Sequence, residues 1–217
     1  MTDAVKIDIW SDVACPWCYI GKRKFEEGAR RAGVPVEVEY HSFELSPDTP
    51  VDFAGSTTEY LAERKGLQAD QVAAMLQHVT RIAADVGLRY DFDRVIHTNT
   101  VLAHELLHAA KAQGRQLETA EALFRAYFEQ GRHVGRVDEL TAIAAEVGLD
   151  ADAVRSALES HEYLGAVHAD QAQAVAYGIQ GVPFFVIDGR YGVSGAQDPA
   201  VFAGALAQVA AERESVG

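Results

Sequence analysis

The spacing of apolar residues changes rhythm twice along this chain. Val5-Lys6-Ile7-Asp8-Ile9-Trp10 alternates with a period of two, the mark of a half-buried strand. Residues 19–27 then read as a helix closing near Gly33, and residues 34–41 alternate again as a second strand. Phe43-Glu44-Leu45-Ser46-Pro47 leaves that strand, and Asp48, Pro50 and Gly55 mark a loop. From Ser56 to about Gly165 only helical spacings occur. Ser56 and Glu59 can form a capping box for a helix that ends at Gly66. In the next helix Val72, Leu76, Val79, Ile82 and Val86 recur every three or four residues up to Gly87. A third starts near Asn99 or Thr100, ends at Gly114 and carries Leu102, Leu106 and Ala109 on one side. A fourth carries Leu117, Leu123, Phe124, Tyr127 and Phe128 up to Gly131. A fifth, after Asp138, carries Leu140, Ile143, Ala144 and Val147, and a short sixth follows Asp150. The last third is mixed. A helix over 166–177 precedes the apolar strand Phe184-Phe185-Val186-Ile187, a turn at Asp188-Gly189 and a returning strand over 190–194. Asp198 as N-cap and Pro199 in the first turn open a final helix, with Phe202, Leu206 and Val209 on its buried side.

The order is therefore β-α-β, a helical block, then α-β-β-α. It predicts an α/β fold, a four-stranded sheet flanked by helices on both faces. Residues 1–55 and 166–217 form one domain, and residues 56–165 an inserted all-helical domain. The 217 residues are 48% hydrophobic, enough for a core of that size. A net charge of −13 argues against nucleic acid and against an anionic membrane surface, both of which need cationic contacts. The local run Lys22-Arg23-Lys24 reads as a solvated helix face. Met1-Thr2-Asp3-Ala4 shows no basic start followed by an apolar run, and no stretch reaches the length of a membrane span. The expected location is the cytoplasm, where thiols are kept reduced.

The chain has two cysteines, and they stand together as Cys15-Pro16-Trp17-Cys18 where the first strand hands over to the first helix. That placement is the redox reading of a C-x-x-C pair. Unpaired N–H groups at a helix start favour an anion, and the thiolate is the reactive form of cysteine. Pro16 suits the first helical turn because its missing N–H costs nothing there. Cys15 is thus expected to attack, and Cys18, one turn on and more sheltered, to resolve. The competing readings are a pair of inert core cysteines and half a zinc site, and no second pair completes the latter.

Together with Gly181-Val182-Pro183 before the third strand, this arrangement resembles the thioredoxin fold, and the long helical insertion resembles the DsbA-like family, FrnE-type branch. The resemblance is carried by residues 12–21, by residues 43–47, by Thr98-Asn99-Thr100 with Ala103-His104, and by Gly181-Val182-Pro183-Phe184-Phe185. It implies a thiol–disulfide oxidoreductase or isomerase with no metal or organic cofactor. Its partner would be a disulfide-bearing protein, peptide or small thiol. It also implies that Val182-Pro183 is cis and lies against the cysteines, leaving the Val182 backbone free to pair with an extended substrate. Pro16, Trp17, Val182, Pro183 and Asn99 are the expected substrate-binding residues. Asn99 is equally a helix cap, and His97 beside it reads as a solvated loop residue. Two departures stand out. Many thioredoxin-fold proteins carry a buried acid six residues before the first cysteine, where this chain has Ile9; Glu44 is a candidate substitute. The middle dipeptide Pro-Trp also lacks the histidine of the strongly oxidising DsbA type.

Two rival readings compete. Kappa-class glutathione transferases and chromene-carboxylate isomerases share the resemblance, but typically place serine at the first active-site position. There glutathione would lie along Val182-Pro183, with the turn Ser194-Gly195-Ala196-Gln197 and the last helix N-terminus receiving a carboxylate. His104-Glu105-Leu106-Leu107-His108 satisfies H-E-x-x-H, a zinc-hydrolase pattern needing a third ligand, with Glu121 or Glu129 as candidates. Substrate identity, direction of reaction and oligomeric state, a homodimer included, stay open. With no histidine between the cysteines, the dithiol should be more reducing than the strongly oxidising type; a measured potential of about −120 mV would contradict this.

Overall fold

The computed structural model describes residues 4–216; Met1, Thr2, Asp3 and Gly217, part of the sequence-predicted terminal segments, lie outside the described residues. The chain runs β1 (Val5–Ser11), α1 (Pro16–Ala32), β2 (Val36–Ser42), then six helices. These are α2 (Thr57–Lys65), α3 (Ala69–Asp85), α4 (Val101–Ala112), α5 (Gln116–Phe128), α6 (Val137–Glu146) and α7 (Ala151–Glu159). It closes with α8 (Leu164–Ala176), β3 (Phe184–Ile187), β4 (Tyr191–Ser194) and α9 (Pro199–Val216). The strands form one mixed sheet in the order β2-β1-β3-β4, with β1 parallel to β2 and antiparallel to β3. This is the thioredoxin fold with a helical insertion between β2 and α8.

The local signals act as their chemistry requires. Gly33 and Gly66 end α1 and α2 in left-handed conformation, where a side chain would be strained. The Ser56–Glu59 capping box is present, and the Asp150 carboxylate caps α7. Asp188 and Gly189 both take positive φ, and the loop extends over Arg190, so β4 starts at Tyr191.

One side of the sheet, carrying Ile7, Ile9, Phe185 and Ile187, is covered by α1 and α9. Those two helices pack very closely. A Cβ on Gly28 would sit 2.6 Å from Cβ of Phe202 and 2.7 Å from the Pro199 carbonyl oxygen. The other side holds Trp10 and Val186 under α8. Here Trp10 stacks on His41, and its indole N–H donates to the Asp170 carbonyl. The Asp170 carboxylate takes His41 at 2.9 Å, His108 at 3.1 Å and the Ser42 N–H at 2.8 Å. Burial pushes this carboxyl up, but those partners outweigh it and hold it well below its usual range.

One hydrophobic cluster runs from the sheet through Val79, Phe124 and Tyr127 to Leu140 and Ile143 of the insertion. Leu117, expected in the buried stripe of α5, is instead 42% exposed, because it lies in the first turn, where its neighbour Gln116 is the residue turned inward. Gln116 seals the edge of the sheet. Its side-chain carbonyl accepts from Tyr40 N–H, and its amide donates to Tyr40 O, both at 2.9 Å. No helix among the described residues is long and apolar enough to cross a membrane.

The α1–α9 approach leaves no room for a methyl group. Gly28→Ala should therefore cost about 1–3 kcal/mol of stability, read as a lower denaturant midpoint at unchanged slope. An unshifted midpoint would show that the helices part freely.

Candidate active site

Cys15 is the N-cap of α1, in extended conformation with φ −89° and ψ 113°, and Pro16 is the first helical residue. The helix therefore begins at the first cysteine, and the N–H of Cys18 donates to the Cys15 carbonyl at 3.0 Å. The loop in front is folded around Asp12. Its carboxylate accepts from Ala14 N–H at 3.2 Å and from Leu45 N–H at 2.8 Å, and its carbonyl accepts from Cys15 N–H at 3.1 Å. An aspartate bonded to a backbone N–H two residues on is an Asx turn. Here it delivers Cys15 to the start of the helix.

Both cysteines are free thiols. The thiol of Cys15 donates to the Val182 carbonyl at 3.6 Å, so the residue 15 and residue 183 segments meet. The Val182–Pro183 peptide is cis. Gly21 permits the close seating of Pro183 on α1, since a Cβ there would come within 2.9 Å of the proline ring. The Pro183 carbonyl accepts from Gly195 N–H, whereas the Val182 N–H and C=O have no main-chain partner among the described residues. Cys18 was expected to be the more sheltered thiol. Exposure barely separates the two, at 3% for Cys15 and 2% for Cys18. They differ in outlook: Cys15 lines a cavity of about 470 Å³ and Cys18 does not. Burial pushes the Cys18 thiol well up, and Cys15 beside it pushes the same way; the Ser11 hydroxyl pulls weakly against them. Both effects favour the protonated form of Cys18.

The helical insertion grips α1 from outside. The Tyr90 hydroxyl donates to the Pro16 carbonyl at 2.6 Å. Glu121 of α5 accepts from the Tyr19 hydroxyl at 2.6 Å and pairs with Lys22 at 2.7 Å and with Arg23. Burial raises this carboxyl, but the three donors prevail and bring it to about 2. Lys22 is therefore 8% exposed and engaged, which corrects the reading of residues 22–24 as a solvated face. Its physical reason is a carboxylate supplied across the fold.

The other candidate residues divide. Pro16 and Trp17 line the cavity, and Trp17 is 38% exposed. Asn99 does not reach it. Its amide donates to the Pro47 carbonyl, and its side-chain oxygen accepts from Val101 N–H, so it fastens one loop to α4. His97 is not solvated. It stacks on Tyr60 at 4.1 Å, contacts Thr57 and Tyr127 through its two nitrogens, and is pushed down to about 4 by burial. Glu44 accepts from Gln171 and lies away from the cavity, while Ile9 is part of the core. The H-E-x-x-H residues do not converge. His104 faces Asp12 at 3.5 Å, Glu105 takes His161 at 2.8 Å, and His108 takes Asp170. Among the described residues, the one His/Cys/Asp/Glu cluster with metal-ligand spacing is Asp8, Glu39 and His41, which contains none of these three.

The buried acid nearest the reactive loop is thus Asp12, backed by the fully buried His104. Burial raises the Asp12 carboxyl, but His104 and the Leu45 and Ala14 N–H groups together hold it below its usual value. A depressed carboxyl contributes stability above its unfolded pKa and loses it as pH falls through the folded one. Asp12→Ala should cost about 3 kcal/mol near neutrality. The gap from the parent protein should close below about pH 4, measured by urea unfolding across pH. A gap unchanged at low pH would mean that the charge is not what is lost.

Comparison with known proteins agrees with this geometry. A family model described as DSBA-like thioredoxin domain matches residues 6–207. The uncharacterized protein YwbO of Bacillus subtilis is 33% identical over 210 residues, covering 93% of this chain and 96% of its own. The structure of a probable DsbA oxidoreductase from Streptomyces coelicolor is 40% identical and superposes with a TM-score of 0.89 over 96% of this chain and 91% of that one. At 16% identity the similarity is one of fold alone to a 2-hydroxychromene-2-carboxylate isomerase, TM-score 0.74 over 98% of this chain and 99% of that one. The match of the DSBA-like thioredoxin model over nearly the whole chain, with relatives 33–40% identical over more than nine-tenths of it, shows that this chain belongs to the DsbA-like thioredoxin family.

Proposed function

We propose that the protein is a dithiol–disulfide oxidoreductase working through Cys15 and Cys18. The observation that carries this reading is the Cys15 sulfur itself. It sits at the start of α1, opens on the cavity, touches the Val182 carbonyl and has the proton-holding Cys18 one turn behind. The Cys15 thiolate attacks one sulfur of a substrate disulfide. A mixed disulfide forms and the first substrate thiolate leaves. Cys18 then gives up its proton and attacks the Cys15 sulfur, and the second substrate thiol departs. Two electrons pass to the substrate, and the protein is left with a Cys15–Cys18 disulfide. The reverse sequence oxidises a dithiol. The Val182 N–H, and its C=O once the Cys15 thiol has given up its proton, suit an extended substrate backbone laid along residue 182. Its partners would be a disulfide-bearing protein or peptide, or a small thiol, with glutathione as a candidate co-substrate.

The glutathione-transferase reading is less favoured. It needs the N-terminus of α9 to receive a carboxylate, and Asp198 already accepts from Ala200 N–H there at 2.9 Å. That reading also has no use for Cys18.

Cys18→Ala should accumulate a stable covalent adduct on Cys15 during turnover, seen by mass spectrometry and released by dithiothreitol. Cys15→Ser should abolish both the adduct and exchange. Full exchange activity in Cys18→Ala would instead favour the transferase class.

A further inference from the structure

The helical insertion does more than grip α1: it builds the far wall of the cavity on which Cys15 opens. Among its own residues α2 buries only Thr57, while Tyr60 and Leu61 stay half-buried, facing the cavity rather than a packed core. Leu76 and Val79 of α3 line the cavity too, as do Phe92 and Phe128. A helix that leaves its apolar residues against open space has a surface to cover.

The interior carries no uncompensated charge. His97 is neutral, because burial pushes it down to about 4, and its nitrogens are occupied by Thr57 and Tyr127. Asp12, the one carboxylate that lines the cavity, is satisfied by two N–H groups and His104. The rim differs: its charged side chains are Arg64 and Lys65, at the end of α2. Arg64 is held by Asp48 and Thr49 and lies over the Tyr60 ring. Lys65 has no ion-pair or hydrogen-bond partner among the described residues. In a chain of net charge −13, a cavity rimmed by cations is a selective feature. Its volume of about 470 Å³ falls in the range of small-ligand sites, about 300–1,000 Å³.

We infer that this cavity receives the organic half of a low-molecular-weight disulfide, one with an apolar, ring-sized body and an anionic end that Lys65 draws in. The inference rests on the exchange chemistry proposed for Cys15 and specifies its substrate class. The body lies between Tyr60 and Leu76, with the reacting sulfur at Cys15 beside Trp17. Electrons and atoms balance as in the exchange above. The ring-bearing thiolate leaves when Cys15 forms the mixed disulfide, and the second equivalent leaves when Cys18 closes the protein disulfide.

Three probe disulfides separate the contributions: dithiobis(nitrobenzoate), with ring and carboxylate; dithiodipyridine, with ring and no charge; and hydroxyethyl disulfide, with neither. The reduced full-length protein is mixed with each, and thiol release or protein thiol loss is followed by stopped flow. Each variant is compared with the parent on the same probe. Lys65→Glu should lower the rate with dithiobis(nitrobenzoate) about fivefold more than with dithiodipyridine, and the difference should shrink in molar salt. Leu76→Trp, which fills the cavity, should lower the rates of both ring disulfides more than that of hydroxyethyl disulfide. The last probe also reports whether the variant is folded. Equal slowing of all three probes by Lys65→Glu, or no slowing of any, overturns the inference. So does equal slowing of insulin reduction, which would mean that the cavity serves a polypeptide. Undiminished reaction of Cys15→Ser with every probe would instead overturn the exchange chemistry itself.

Discussion

The site depends on one buried carboxylate. Asp12 follows the end of β1, where the chain must stop being a strand and start being a helix within four residues. Its two oxygens are divided between the N–H groups of Ala14 and Leu45, and His104 stands behind them. Each of those groups comes from a different part of the chain: the loop before α1, the segment after β2, and the insertion. Removing the carboxylate would leave the Ala14 and Leu45 N–H groups and the buried His104 without it, and buried pairs are costly to break even when their net worth is small.

A second set of contacts fixes α1 along its length. Gly21 lets Pro183 approach, Gly28 lets α9 approach, and Glu121 collects Tyr19, Lys22 and Arg23 from the opposite side. The reactive helix is thus clamped between sheet, terminal helix and insertion. Rigid supporting elements of this kind hold reacting atoms in register better than loops do. The insertion has a double part here, since the same helices that brace α1 also shape the cavity in front of Cys15.

Much of this was legible in the residues. Period-two runs, glycine stops, the Ser56–Glu59 box and the Asp188-Gly189 turn each express a local rule, and local rules can be read locally. The meeting of Cys15 with Val182 was readable only through family resemblance, because the two lie far apart in the chain. Lys22 and His97 were misread for one reason. Whether a polar side chain is solvated depends on what a distant segment brings to it, and Glu121 and Tyr60 are invisible from residues 22 and 97. Asp12 left a faint signal, an aspartate two residues before a backbone donor that it could cap. The H-E-x-x-H spacing was true to the helix but empty of convergence, because each side chain found a separate carboxylate or imidazole elsewhere.

Gln116 has a consequence for how this molecule meets others. By occupying both the N–H and the C=O of Tyr40, it removes one rung from the outer edge of β2. The opposite edge of the sheet, β4, is a short four-residue strand. An incoming strand would have to displace that amide to pair along the whole of β2, so a single side chain interrupts the edge's repeat of free backbone groups.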